Sequence, residues 1–179
     1  MILQSQENFK PWTQNLISTR KTQVFNLRCS PGGLISELSI DKKTIEKLLN
    51  DSESRFLIPD YQRPYAWTVT ECQVLWDDLM SFAFPNDDPS AFDKSRYYFL
   101  GPIVTFENGS WLEVIDGQQR ITTIMLLLRA FYESFDPKKT KDKSILSVRD
   151  VIEKCLWSSN DYGLSLIHIS EPTRHLRIS

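Results

Sequence analysis

Trp111-Leu112-Glu113-Val114-Ile115-Asp116-Gly117-Gln118-Gln119-Arg120-Ile121-Thr122-Thr123-Ile124-Met125 reads as a strand, a tight turn and the start of a helix. Leu112, Val114 and Ile115 form the apolar run of a buried strand, and Asp116-Gly117 is a turn pair in which glycine is free to adopt positive φ. Beyond the turn, Ile121, Ile124, Met125, Leu128 and Phe131 recur at helical spacing. Gln118, Gln119 and Arg120 are thereby placed on the first turn of a buried helix, at the carboxyl end of a strand. A first helical turn carries unpaired N–H groups and a partial positive charge, which favour anions. Arg120 adds positive charge where the dipole disfavours it, a conflict that a nucleotide phosphate would resolve, and its planar fork matches phosphate oxygens. Asp116 offers a ligand for a divalent cation. The same residues also fit a purely structural account: Asp116 with Gln119 has the spacing of a capping box, and Arg120 would then pair with Asp116.

The chain of 179 residues, 41% hydrophobic with net charge −2, has room for a core and lacks the basic footprint of a non-specific nucleic-acid binder. No apolar run is long enough to span a bilayer and no signal-peptide layout opens the chain, so no membrane partner is expected. Cys29, Cys72 and Cys155 are widely spaced, which suits a reducing cytoplasm; Cys72 and Cys155 fall at apolar helical positions and are expected to pack in the core.

The end of the chain has a different character. Leu164-Ser-Leu-Ile-His168-Ile-Ser-Glu-Pro-Thr-Arg174 resembles the in-frame translation of a transposon-based sequencing adapter, with Ile178-Ser179 resuming it after an index-length gap. The resemblance implies that residues 164–179 are not biological. Both histidines, His168 and His175, lie there, so the remainder has none for a triad or a histidine–metal site.

Along the rest, Met1 to Gly33 shows no clean periodicity, and residues 1–36 read either as a flexible leader or as upstream sequence read through from a misplaced start. Asp41 suits the N-cap of a first helix carrying Ile45, Leu48 and Leu49, with Ile40 and Ile45 as a hydrophobic staple. Arg55–Ile58 is a short strand. Pro59-Asp60-Tyr61-Gln62-Arg63-Pro64-Tyr65-Ala66-Trp67 is held extended by its prolines. Its aromatics and arginine suit either a base-stacking, phosphate-pairing wall or a rigid packing loop. Thr68-Val-Thr-Glu71 is a capping box for a helix with Val69, Cys72, Leu75, Trp76, Leu79 and Met80 inward. A strand from Tyr97 to Phe106, broken by Gly101-Pro102, turns at Asn108-Gly109 into Trp111–Ile115 as a hairpin. After the helix to about Tyr132 comes the basic run 136–141, and an amphipathic helix follows from Ser144 to Trp157.

Two of these stretches together, Ile58-Pro59-x-Tyr61-Gln62-Arg63-x-Tyr65-x-Trp67 and Asp116-Gly117-Gln118-Gln119-Arg120-x-Thr122-Thr123, resemble the N-terminal domain of GmrSD-type restriction enzymes over about Leu38 to Tyr132. The resemblance implies an α+β, ParB/sulfiredoxin-like domain with short strands, a β-hairpin and flanking helices. It divides the chain into a leader (1–36), this domain (37–135), the start of a helical region (136–163) and the adapter-like tail (164–179). It also implies nucleoside triphosphate (NTP) binding and hydrolysis with Mg²⁺ or another divalent cation, gating cleavage of modified DNA in anti-phage defence, with the nuclease in a separate HNH-type part. Carried over by position, Asp116 would hold the metal or orient water, and Gly117 would admit phosphate to the backbone. Gln118 and Gln119 would bond phosphate or sugar oxygens, and Arg120 would neutralise phosphate charge, making Asp116, Gln119 and Arg120 the catalytic set. Tyr61, Gln62 and Arg63 would form the facing wall, with Thr122 among the nucleotide-binding residues. The alternatives are a non-catalytic nucleotide-binding switch and a DNA-nicking domain acting through the same site.

Overall fold

The computed structural model describes residues 21–29, 35–50, 55–88, 91, 93, 95–108, 111–160, 163–166 and 169–170. The expectations for residues 1–20, for the loop 30–33 and for both histidines lie outside these.

A mixed sheet of six strands forms one layer, in the order β2-β1-β4-β5-β3-β8. Its strands are β1 (Lys21–Cys29), β2 (Ile35–Thr44), β3 (Arg55–Leu57), β4 (Phe99–Asn108), β5 (Trp111–Asp116) and β8 (Ile169–Ser170). β6 (Trp157–Asn160) and β7 (Gly163–Leu166) pair only with each other. Among the described residues, four α-helices complete the α+β fold: α1 (Ile45–Leu49), α2 (Val69–Ala83), α3 (Gln118–Ser134) and α4 (Lys143–Leu156).

The strand register shows which face the helices cover. Val24 pairs with Ile103, Thr105 with Val114, and Phe56 with Leu112. All six side chains fall on one face, and Val24, Ile103, Thr105, Val114 and Phe56 are buried. Leu38 and Ile40, on the opposite face of the outermost strand, are 56% and 54% exposed. The helical stripes close over the first face. Ile121, Ile124, Met125, Leu128 and Phe131 of α3 are buried as their spacing predicts, and so are Ile145, Val148, Ile152 and Cys155 of α4. Phe131 lies 6.4 Å from Trp76, bringing α2 against α3.

The structure departs from several expectations. The segment read as a leader supplies β1 and the start of β2, an antiparallel pair running from Lys21↔Thr44 to Cys29↔Ile35. That ladder also overrides the helix start at Asp41, which pairs with Val24 in the strand. The cap falls to Thr44, whose side chain accepts from Lys47 N at 3.1 Å, and Ile40 stays exposed instead of forming a staple. Finally, Gly101-Pro102 does not break β4. The β1–β4 register shifts there by one residue, as in a β-bulge, and the strand continues. At the start of α2 the capping box of Thr68 and Glu71 is present, while Val69 is 82% exposed instead of inward.

Candidate functional site

β3 runs parallel to β5, and β4 antiparallel to it. The carboxyl ends of β3 and β5 and the amino end of β4 therefore emerge at the same edge of the sheet. The 58–67 segment, the Asp116–Arg120 turn and the Gly101-Pro102 bulge meet there.

The β5–α3 turn is set by Gly117. Its φ is 95°, and an added Cβ would lie 3.2 Å from both Ile103 Cγ1 and the Pro102 carbonyl. The missing side chain thus makes room for β4. Gly117, not Asp116, is the N-cap, and no side chain caps the helix. The expected capping box of Asp116 and Gln119 does not form: Gly117 takes the N-cap position and the Gln119 amide is bonded to the main chain of residues 64–67. The first ladder bond is Ile121 N to Gly117 O at 3.0 Å. The amides of Gln118, Gln119 and Arg120 precede it and point out of the helix end.

Arg120 donates from Nη1 to the Pro102 carbonyl at 2.6 Å. Among the described residues it has no carboxylate partner, and the expected pairing with Asp116 is not made. Its charge rests against a neutral carbonyl beside the positive end of a long helix.

On the other flank of the turn, amides and hydroxyls clasp the 58–67 segment. Gln62 Nε2 donates to Ile115 O at 3.1 Å, where the β4–β5 register also shifts by one residue. Gln118 Nε2 donates to Gln62 Oε1 at 3.2 Å. Gln119, only 6% exposed, accepts at Oε1 from Ala66 N at 2.8 Å and Trp67 N at 3.3 Å and donates to Pro64 O at 3.2 Å. With both ends of its amide engaged in this way, Gln119 holds the segment and does not present its amide to a ligand. Tyr65 and Thr123 share a hydroxyl hydrogen bond at 3.0 Å, and Thr123 Oγ1 donates to Gln119 O at 2.8 Å.

The profile described as GmrSD restriction endonuclease, N-terminal domain, matches residues 45–176. The chain belongs to this family. A comparison with curated proteins finds no match. The match begins at α1, after the β1–β2 pair, and ends within the segment that resembles adapter sequence.

In this GmrSD N-terminal domain the remaining expected site residues divide by environment. Asp116 and Arg63 are exposed and, among the described residues, have no side-chain hydrogen bond or ion pair. Tyr61 is 69% exposed and donates to Glu113 Oε2 at 3.4 Å; partial burial first, then the Glu113 charge, raises its phenol pKa. Thr122 is half-buried on α3 and has no hydrogen bond to the 58–67 segment. Its neighbour Thr123 has that role and was missed. The available signal was spacing, since Thr123 lies one turn after Gln119 on the same helix face. Tyr65 was missed as well. Its hydroxyl also meets Cys72 Sγ at 3.3 Å, so Cys72 belongs to this polar seam as well as to the packing of α2. Burial, then the Cys72 contact, raises the Tyr65 pKa, and the Thr123 hydrogen bond opposes the rise.

Among the described residues no three His, Cys, Asp or Glu side chains gather as a metal site, and no helix is long and apolar enough to cross a membrane.

Proposed function

We propose that this domain binds a nucleoside triphosphate at the tip of α3 and hydrolyses it, gating DNA cleavage carried by another part of the restriction protein. One observation carries the reading: the uncapped first turn of α3 bears an arginine whose charge no carboxylate among the described residues neutralises. Such a tip attracts polyanions, and charge-assisted, bidentate contacts to phosphate are the strong ones. Arg63 on the clasped segment, without an ionic partner among the described residues, is a second cation for the same ligand. Gln118 retains its Oε1 for a sugar hydroxyl, and Tyr61 presents an exposed ring for stacking. Gln119 serves by holding that wall.

A protein-only metal cage does not fit these residues, whereas Mg²⁺ held by Asp116 and the phosphates of the nucleotide does, since Mg²⁺ commonly takes one or two carboxylates and fills its shell with water and phosphate. When bound, the cation supplies charge neutralisation on the phosphate oxygens. Arg120 stabilises charge developing on the transferred phosphoryl group, and Asp116 orients water. A specific observation favours a second reading, binding without turnover: the Gln119 amide is spent on main chain and offers nothing to a water nucleophile.

Nucleotide titration and phosphate release with ATP, GTP, CTP and UTP, with and without Mg²⁺, test both. Arg120→Ala is expected to weaken binding by about 10- to 100-fold at unchanged helical content, the range for one charged hydrogen-bonding group. Binding equal to wild type in Arg120→Ala overturns the reading, and binding with no phosphate release in any condition selects the switch.

A further inference from the structure

The Gly101-Pro102 bulge belongs to neither motif, yet the Arg120 guanidinium rests on it. A Cβ added to Gly101 would lie 2.9 Å from Arg120 Nη1, 3.0 Å from Cζ and 3.3 Å from Nε. Those three atoms belong to one face of the planar group, so the guanidinium lies flat over the glycine. Gly101 has φ 97°, and the β1–β4 register slips between Lys21↔Phe99 and Gln23↔Pro102, leaving an extra residue on β4. The β4–β5 ladder begins at Val104, so the Pro102 carbonyl lies beyond its end and is open to the 2.6 Å bond from Arg120. The bulge therefore supplies both a floor and an acceptor.

We propose that Gly101 is a positioning residue for the anion site: the bulge it permits fixes the direction of the Arg120 guanidinium and so sets polyphosphate affinity at the tip of α3. This rests on the anion-binding reading above. The atoms a methyl group would meet are the far end of a flexible side chain. Arg120 would therefore move aside, with the strand left in place, and the loss would fall on binding more than on packing.

The test is a double-mutant cycle read by titration of inorganic triphosphate into wild type, Gly101→Ala, Arg120→Ala and the double variant. Gly101→Ala is expected to weaken triphosphate binding by about tenfold when Arg120 is present, the scale of one misplaced charged hydrogen bond. With Arg120 removed it is expected to change binding less than about twofold, within the additivity expected of uncoupled sites. Backbone strain at positive φ lowers the melting temperature equally in both backgrounds. Gly101→Asn, which tolerates positive φ better but still carries a Cβ, should recover melting temperature without recovering affinity. The side-chain NMR signals of Arg120 give a ligand-free readout: rotation about its guanidinium bonds is slowed in wild type and freed in Gly101→Ala. An equal loss of affinity with and without Arg120 overturns the proposal, as does no loss at all while Arg120→Ala is weak. If Arg120→Ala binds triphosphate as wild type does, the site reading itself falls and takes this inference with it.

Discussion

Replacing Gln119 with methionine keeps the length and approximate shape of the side chain and removes its three bonds to the 64–67 main chain. A neutral intramolecular hydrogen bond contributes about 0.5–1.5 kcal/mol net, so the three together give a range of roughly 1.5–4.5 kcal/mol. The structure places the outcome in the lower half. Pro64 and Ala66 are exposed, so their freed main-chain groups reach water once the segment lifts slightly, whereas those beside half-buried Trp67 do so less readily. The expected destabilisation is about 2–3 kcal/mol, or roughly 5–10 °C in melting temperature for a domain of this size. Equilibrium urea unfolding gives the first number. Amide hydrogen exchange gives a local one, with Ala66 and Trp67 N–H losing protection while the centre of α3 keeps its own until global unfolding. A loss below about 0.5 kcal/mol, with Ala66 and Trp67 still protected, would refute the clasp, since the net contribution of even one such bond would be missing.

Thr68→Ala removes the cap of α2, where Thr68 Oγ1 accepts from Thr70 N at 3.2 Å and donates to Glu71 Oε2 at 2.6 Å, and is expected to cost about 1 kcal/mol in thermal or urea unfolding at neutral pH. Side-chain and then main-chain hydrogen bonds from Thr68 lower the Glu71 pKa below its ordinary 4.5. The carboxylate's contribution is complete above that value and is lost as pH falls through the lowered folded one, so the Thr68→Ala penalty should shrink in acid. Cys155, fully buried, behaves oppositely: burial, then the Glu46 charge, pushes its thiol from 9.0 up to about 12. The folded state holds that proton more tightly than the unfolded chain, so the stabilisation is complete below 9.0 and fades as pH rises towards about 12. Cys155→Ala should flatten that alkaline limb in pH-dependent unfolding, and an unchanged slope would place the alkaline sensitivity elsewhere.

The elements legible in the sequence were those whose signal is local. The α3 stripe repeats at the helical period, Thr68 and Glu71 cap each other within one turn, and Asn108-Gly109 announces its own hairpin. What escaped depended on a partner far along the chain. Lys21–Cys29 shows no steady alternation, but β2 and β4 satisfy its main chain on both edges, and this fixes it as a strand whatever its side-chain pattern. Asp41 has the chemistry of a cap and lost to a ladder whose other half lies before it. At the site, the two motifs do lie side by side, but neither states how its residues divide between neighbours. Gln119 and Arg120 are adjacent, and one faces the main chain of the 58–67 segment while the other reaches β4. Only the parallel pairing of β3 with β5 brings those surfaces together, and nothing in either motif states it.

The way the two motifs are joined bears on what they can hold. Among the described residues, the bonds that tie 62–67 to the β5–α3 turn, from Gln62 to Ile115, Gln118 to Gln62, Gln119 to the 64–67 main chain and Tyr65 to Thr123, use neutral groups. A seam closed by Arg63 with Asp116, or by Arg120 with Asp116, would have matched the charges present and been simpler to read from sequence. It would also have neutralised the tip of α3, and any anion would then have had to break an ion pair before binding. Neutral bonds assemble the wall while leaving Arg63, Arg120 and Asp116 without ionic partners among the described residues. Salt weakens interactions between exposed charges and leaves amide hydrogen bonds largely untouched. Raising ionic strength should therefore loosen polyphosphate binding while the protection of Ala66 and Trp67 amides holds. If the two fall together, the wall is held by charge and the separation of scaffold from site is wrong.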